Sequence, residues 1–321
     1  MGRQMIRQLG VKLAELVGVL LIVSFGVFLL VAFLPGDPAV AILGKGHPPE
    51  AYAEVRAQLG LNQPVLERYL NWLGGVLTGD LGQSLVPPQS EVIDRVLAAL
   101  PVSVELAVLG LLIAVVVSVP LAMWSAYHEG GRVDRLISAG MFGVLSVPSF
   151  LAGLLLIMVA VNGLGWFPRA EWVRLSEGLF ANLHHAILPA ITISLVEMAM
   201  FTRVLRNDLI VTLREDYILA SHAKGMPPLR ILLSDALRPS SFSLVTLLGL
   251  SLGRLIGSTV IVEYLFALPG MGSLVVNAAS QGDYPMVQGV VLAIAVIYVL
   301  TNAVIDLSYG YLDPRIRRAH V

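Results

Sequence analysis

Six runs of apolar residues, each long enough to cross a bilayer as a helix, govern what this chain can fold into. They cover residues 13–34, 102–126, 137–161, 187–204, 242–266 and 287–307. A helical span needs about 20 predominantly apolar residues, and only helices or closed barrels satisfy their own backbone in hydrocarbon. Composition points the same way. Of 321 residues, 56% are hydrophobic and 13% charged, against about 45–50% and 25% in soluble domains. The chain reads as an all-α integral membrane protein with six transmembrane helices, organised as one membrane domain over 1–321. The first run, after Arg3, Arg7 and Lys12, exceeds the roughly 7–15 apolar residues of a signal peptide and lacks a small-residue cleavage site, so it reads as a retained anchor.

Basic residues give the runs a direction. With the N-terminus inside, 14 of the 21 Lys and Arg fall on the inner side, 6 on the outer side, and Arg254 lies within the fifth run. Both termini and the 309–321 tail are then cytoplasmic. Residues 35–100 form an outer insertion between spans one and two, with helical patterns at 50–60, capped by Gly60, and at 64–77. Residues 101–308 form a five-span core. Pro120 and Pro148 lie inside spans and are expected to kink them. The net charge of −1 gives no reason to expect a nucleic-acid partner. The absence of Cys rules out disulfides and thiolate metal sites. His184-His185 reads as an interfacial pair, since no third metal ligand is evident nearby.

Between spans four and five lies the largest inner loop, residues 206–239. It is too charged to span and too periodic for random coil. Leu209, Leu213, Tyr217 and Ala220 follow the spacing of one helix face. Gly225 ends the helix, Pro227 and Pro228 force a turn, and a second short helix starts at Ile231 and stops near Pro239. A helix, a glycine turn and a helix make a knob that a partner could grip.

The stretch Ala220-Ser221-His222-Ala223-Lys224-Gly225, preceded by Asp216-Tyr217, resembles the "EAA" coupling loop of ABC-importer permeases, in the dipeptide/oligopeptide (peptide/nickel) branch. Leu219 stands where many members carry Glu, and Ser221 where many carry Ala. The resemblance continues through Leu34-Pro35-Gly36-Asp37-Pro38, Leu59-Gly60-Leu61-Asn62-Gln63-Pro64, Arg68-Tyr69 and Gly79-Asp80-Leu81-Gly82-Gln83-Ser84. It takes in Val102-Ser103-Val104-Glu105-Leu106, Pro148-Ser149-Phe150, Leu164-Gly165-Trp166-Phe167-Pro168, Glu263, Phe266 and Pro269-Gly270-Met271-Gly272. Asp283-Tyr284-Pro285 and Leu312-Asp313-Pro314-Arg315 complete it. The resemblance implies a permease subunit in a bacterial inner or plasma membrane, forming half of a path for dipeptides and oligopeptides. The implied partners are a second homologous permease, two ABC ATPase subunits that hold ATP and Mg, and an extracytoplasmic binding protein.

No G-x-x-x-x-G-K-[ST] phosphate loop is present, so ATP-driven transport would need separate ATPase subunits. Their contact would be Asp216, Tyr217, Ala220, Ser221, Ala223, Lys224 and Gly225. Small side chains let a cleft close around the helix while Tyr217 anchors it; Ala220 and Ala223 are also simply good helix formers. No cofactor, metal or catalytic constellation is evident in the chain itself. In span five, Gly249, Gly253 and Gly257 put a smooth stripe on one face, which reads as helix packing rather than pore lining. Arg254 within that span is costly unless it meets water or a partner. It could line the path with Ser258, or pair with a carboxylate, for which Glu197 in span four or another subunit is a candidate. Arg254 and Glu263 are roughly opposite on one helix. Glu263 suits either an outer gate or an ordinary interfacial position. The same machine carrying nickel chelates, glutathione or another small solute is the alternative. An ion-coupled transporter is disfavoured by the loop motif and by the lack of an inverted repeat.

Overall fold

The computed structural model describes residues 2–33, 38–44, 46–58, 60–168 and 171–312. The motif residues 34–37, 59 and 313–315, and the basic residues Lys45, Arg169, Arg315, Arg317 and Arg318, lie outside the described residues.

The described chain is helical, with one isolated antiparallel bridge between Gln83 and Glu91. Helices α1 (Gly2–Ala32), α2 (Pro38–Leu43), α3 (Pro49–Gln58) and α4 (Val65–Thr78) precede the long α5 (Val92–Tyr127). Then come α6 (Arg132–Ser146), α7 (Ser149–Leu156), α8 (Leu179–Leu213), α9 (Asp216–Ala223) and α10 (Pro228–Arg230). Helices α11 (Leu237–Ser258), α12 (Val260–Leu265), α13 (Met271–Gln281) and α14 (Tyr284–Leu312) complete the order. Two turns are π-helical: Ile157–Gly163 prolongs α7, and Ile231–Ala236 joins α10 to α11.

Five helical segments are long and apolar enough to cross a membrane: Ala14–Ala32, Val92–Tyr127, Leu179–Leu213, Pro228–Ser258 and Tyr284–Ile305. The run at 137–161, expected as one span, is instead the pair Arg132–Ser146 and Ser149–Gly163, bent by 99°. The cause is local. A proline pushes its predecessor out of the helical region, and Val147, before Pro148, is extended at φ −98°, ψ 122°. Each 15-residue arm reaches roughly 22 Å, short of the ~30 Å hydrocarbon core. Pro120, by contrast, lies within unbroken α5.

A second expectation is also overturned. The helix after the 225–228 turn does not stop at Pro239; it continues through α11 to Ser258. Leu237 starts the α-helical stretch, so Pro239 falls in its first turn, where the missing N–H costs least. The widened π turn immediately before it absorbs the change of register.

The chain forms two compact units, Met1–Ser103 with Pro269–Val304, and Val104–Leu268 with Ile305–Val321. In the first, α4 packs on α1. The Tyr69 and Ser24 hydroxyls share a hydrogen bond of 2.9 Å, and Phe25 and Phe28 meet the Tyr69 ring edge-on. Gly79 caps α4 in a left-handed conformation, φ 88°. The 82–92 loop is tied down by Asp283, which accepts hydrogen bonds from the Ser84 hydroxyl and the Leu85 N–H. Gly289 of α14 lies so close to α5 that a Cβ there would sit 2.4 Å from Val92 Cγ1.

In the second unit α8 is the central helix. Helices α6, α7, α11 and α12 all pack on it. Two close approaches rely on glycine: a Cβ at Gly110 would lie 3.1 Å from Ile193, and one at Gly153 would lie 2.8 Å from Leu265.

Candidate functional site

Helix α9 forms because α8 ends at Leu213. Arg214 sits near the bridge region, φ −92°, ψ −3°, and Glu215 is extended, which restarts the chain in a new direction. The Arg214 guanidinium meets Glu129 at 2.7 Å. Leu209, Leu213, Tyr217 and Ala220 therefore do not share one helix face: the first two belong to α8 and the last two to α9. Asp216 in the first turn and His222 in the last complement the helix dipole.

One apolar side chain anchors α9 in the core. Ile218 is fully buried in a cluster with Ala122, Met123 and Ala126 of α5, and Leu205 and Leu209 of α8. Ile231, Leu232 and Ala236 of the π turn and Leu244 of α11 complete it. The remaining faces of the helix are open: Tyr217, Leu219, Ala220, His222, Ala223 and Lys224 are exposed, and Ser221 is half-buried. Ser221 Oγ donates to Asp235 Oδ2 at 2.8 Å, and Ser234 Oγ donates to Asp235 Oδ1 at 2.6 Å. Gly225 ends the turn at φ 74°, with no atom within 4 Å of where a Cβ would stand. Partial desolvation, then the charges of Glu215 and Asp235, push the Tyr217 hydroxyl above its ordinary range.

Behind this helix lies a polar clamp that sequence reasoning missed. Arg206 of α8 makes a two-pronged contact with Asp134 of α6, Nε to Oδ1 at 2.6 Å and Nη2 to Oδ2 at 2.7 Å. Ser125 of α5 donates to Oδ1 at 2.6 Å and the Gly130 N–H to Oδ2 at 2.9 Å. Three helices thus meet on one buried carboxylate. The sequence showed each residue as an isolated polar group; only their separation by 72 and 9 positions is bridged by the fold.

Deeper along α8 and α11 stands a second charged group. Arg254 Nη2 meets Glu197 Oε1 at 2.7 Å and Oε2 at 2.9 Å, and Ser251 Oγ donates to Glu197 Oε2 at 2.7 Å. Ser258 is exposed and bonds its own helix at Leu255. Glu263 is not near this pair in sequence register; it lies on α12, fully buried, accepting from Thr259 Oγ1 at 2.8 Å. Gly253 is buried, and Gly249 and Gly257 are half-buried, on a helix that packs along α8. Among the described residues no group of three His, Asp or Glu side chains is placed to hold a metal ion.

Known proteins place this arrangement. The family model described as a binding-protein-dependent transport system inner membrane component matches residues 118–318, and the model for the N-terminal part of such membrane components matches residues 5–107. A probable peptide ABC transporter permease protein, y4tP of Sinorhizobium fredii, is 34% identical over 309 residues, covering 95% of this chain and 97% of that protein. The oligopeptide transport system permease protein AppB of Bacillus subtilis is 34% identical, covering 90% of this chain and 92% of its own. The dipeptide transport system permease protein DppB of Escherichia coli is 32% identical, covering 97% and 98%. With matches running nearly end to end, the chain belongs to the inner membrane components of binding-protein-dependent transport systems and is a permease subunit of that family.

Proposed function

We propose that this permease imports dipeptides and oligopeptides as one half of a translocation path, driven by ATPase subunits that grip α9. A second homologous permease supplies the other half, and an extracytoplasmic binding protein delivers the cargo. ATP and Mg are held by two partner ATPases; this chain binds no cofactor and performs no hydrolysis. Both termini and α9 face the cytoplasm, as the bias of basic residues favours. The cargo reading is supported by the peptide, oligopeptide and dipeptide transport in the names of its relatives.

The observation that carries the mechanism is the division of α9 into two faces. Ile218 is anchored in a core shared by α5, α8 and α11, while Tyr217, Leu219, Ala220 and Ala223 are left open. A short helix with small side chains admits a cleft close to its backbone, and an exposed Tyr is an efficient anchor. Ala223→Glu would put an unpaired charge into such a cleft without touching Ile218. In vesicles reconstituted with the binding protein, the second permease and the ATPases, this variant is expected to insert normally. It should lose either ATPase co-purification or ATP-driven peptide uptake. Wild-type subunit composition together with wild-type uptake would remove α9 from the coupling role.

A further inference from the structure

We infer that α4 is an interfacial helix whose leucines Leu66, Leu70 and Leu77 sink into the acyl chains of the adjoining lipid leaflet, while Glu67, Asn71 and Thr78 stay in water. The inference goes beyond peptide import and holds whatever the permease carries. Three observations support it. The first is how the helix surface is divided. At about 100° per residue, Tyr69, Trp72 and Val76 point within roughly 60° of one another, toward the protein: Tyr69 is buried, and Trp72 and Val76 pack on the cluster that holds Val31 and Leu81. Leu66, Leu70 and Leu77 fall within roughly 40° on a second side and are 62%, 57% and 80% exposed. Glu67, Asn71 and Thr78 fall within roughly 40° on a third side, centred about 100° from the leucines, and all are exposed. Two open sides of opposite polarity, both running the length of one helix, need two media, and the edge of a bilayer supplies both.

The second is the level at which α4 docks. Arg68, Tyr69 and Trp72 all meet the Phe28 ring, at 5.8, 5.6 and 5.8 Å from its centroid, so α4 crosses α1 at that residue. Phe28 belongs to the membrane span Ala14–Ala32 and stands about 6 Å from its C-terminal end at 1.5 Å per residue. Interfacial helices bury their apolar side about 5–10 Å into the boundary between headgroups and acyl chains.

The third is the neighbourhood of the contact. Phe25, the other ring against Tyr69, is itself open, and so is Ile22 one turn before it. The crossing therefore opens onto the apolar side of a span, where lipid is the neighbour. The leucine side of α4 also has none of the Tyr, Trp or Arg that anchor protein partners. Those of this helix all turn inward onto Phe28.

Spin labelling of the complete transporter in phosphatidylethanolamine–phosphatidylglycerol vesicles tests this, because the chain has no Cys of its own. Leu66→Cys, Leu70→Cys, Leu77→Cys, Glu67→Cys and Asn71→Cys are labelled one at a time, with the other subunits free of Cys. All five side chains are exposed, so the label displaces no packing. Collisions of the label with oxygen, which dissolves in hydrocarbon, are compared with collisions with a water-soluble nickel chelate. The oxygen-to-nickel ratio is expected to be about tenfold higher at the three leucine positions than at 67 and 71, because a polar solute is barred from hydrocarbon. Low rates with both reagents at the leucine positions would overturn the proposal in favour of a covering protein. Repeating the measurement without the binding protein then tells whether that protein or the second permease is the cover. High nickel rates at the leucine positions would overturn it in favour of an aqueous surface. One ratio at all five positions would overturn it as well, since the two open sides would then share a single medium.

Discussion

The hydroxyl of Ser221 donates to the carboxylate of Asp235 across 2.8 Å, fastening the exposed helix α9 to the π turn that leads into α11. The bond joins residues 14 apart and lies beside the Ile218 anchor, so α9 is held by one apolar contact set and one polar latch.

Ser221→Ala removes that latch and leaves Ile218 in place. A net loss of about 1 kcal/mol corresponds to roughly fivefold more frequent local opening. Hydrogen exchange of residues 216–225 is expected to accelerate by about that factor, with the amides of α8 and α11 unchanged. Exchange indistinguishable from wild type would show that the latch carries no weight.

Gly225 separates steric from dihedral cost. No atom would meet a Cβ there, yet φ is 74°. A left-handed conformation costs an L-residue roughly 1–2 kcal/mol, less for Asn. ATP-driven uptake is expected to fall in the order Gly, Asn, Ala, Val. An Asn variant no better than Val would mean that the space around residue 225, not its backbone, is the constraint.

Asp134 is the shared carboxylate of the α5–α6–α8 clamp. Asp134→Ala leaves the Arg206 guanidinium partly buried with no anion, at a cost of about 3 kcal/mol. Denaturation in detergent should show a lower midpoint for this variant, and Asp134→Ala with Arg206→Met should recover part of the loss. A double variant that sums the two single losses would show that the pair is not coupled.

Gly289→Ala tests the tightest approach in the Met1–Ser103/Pro269–Val304 unit. The added methyl would sit 2.4 Å from Val92 Cγ1, and overpacking of this kind costs about 1–3 kcal/mol. Adding Val92→Ala is expected to return stability toward wild type. If the second change lowers stability further, the strain lies elsewhere.

Orientation can be read by labelling, because the natural chain has no Cys. Ser176 and His222 are both exposed and lie on opposite sides of the membrane if the inner bias of basic residues sets the topology. A single Cys at 176 is expected to react with an impermeant thiol reagent in intact cells, and one at 222 only after permeabilisation. The reverse pattern would move α9 out of the cytoplasm.

The helices were legible in the sequence because burial in lipid leaves long apolar runs that periodicity detects without help from tertiary contacts. Gly60 and Gly225 were legible for a related reason, since a helix end requires its left-handed residue locally. The 99° break at Pro148 was foreshadowed as a kink, yet Pro120 in α5 has the same chemistry and leaves its helix whole. What differs is the conformation of the preceding residue, which packing decides. The continuation through Pro239 was missed because a π turn has no distinctive composition. The Arg206–Asp134–Ser125 clamp and the glycines at 110, 153 and 289 were missed because each is defined by a partner far away in sequence. Glu197 could be suggested for Arg254 only because so few acidic groups lie within the spans.

Ile218 belongs to a single buried cluster with residues of α5, α8, the π turn and α11, and such interiors are nearly incompressible. In engineering terms the joint has little backlash. A load applied to the open face of α9 is not first consumed in taking up slack, and it reaches three long helices at the same moment. The residue that gives this stiffness is an aliphatic one with no chemistry of its own, so under the proposed coupling, substitutions that shrink it should blur the timing of the stroke before they abolish its force.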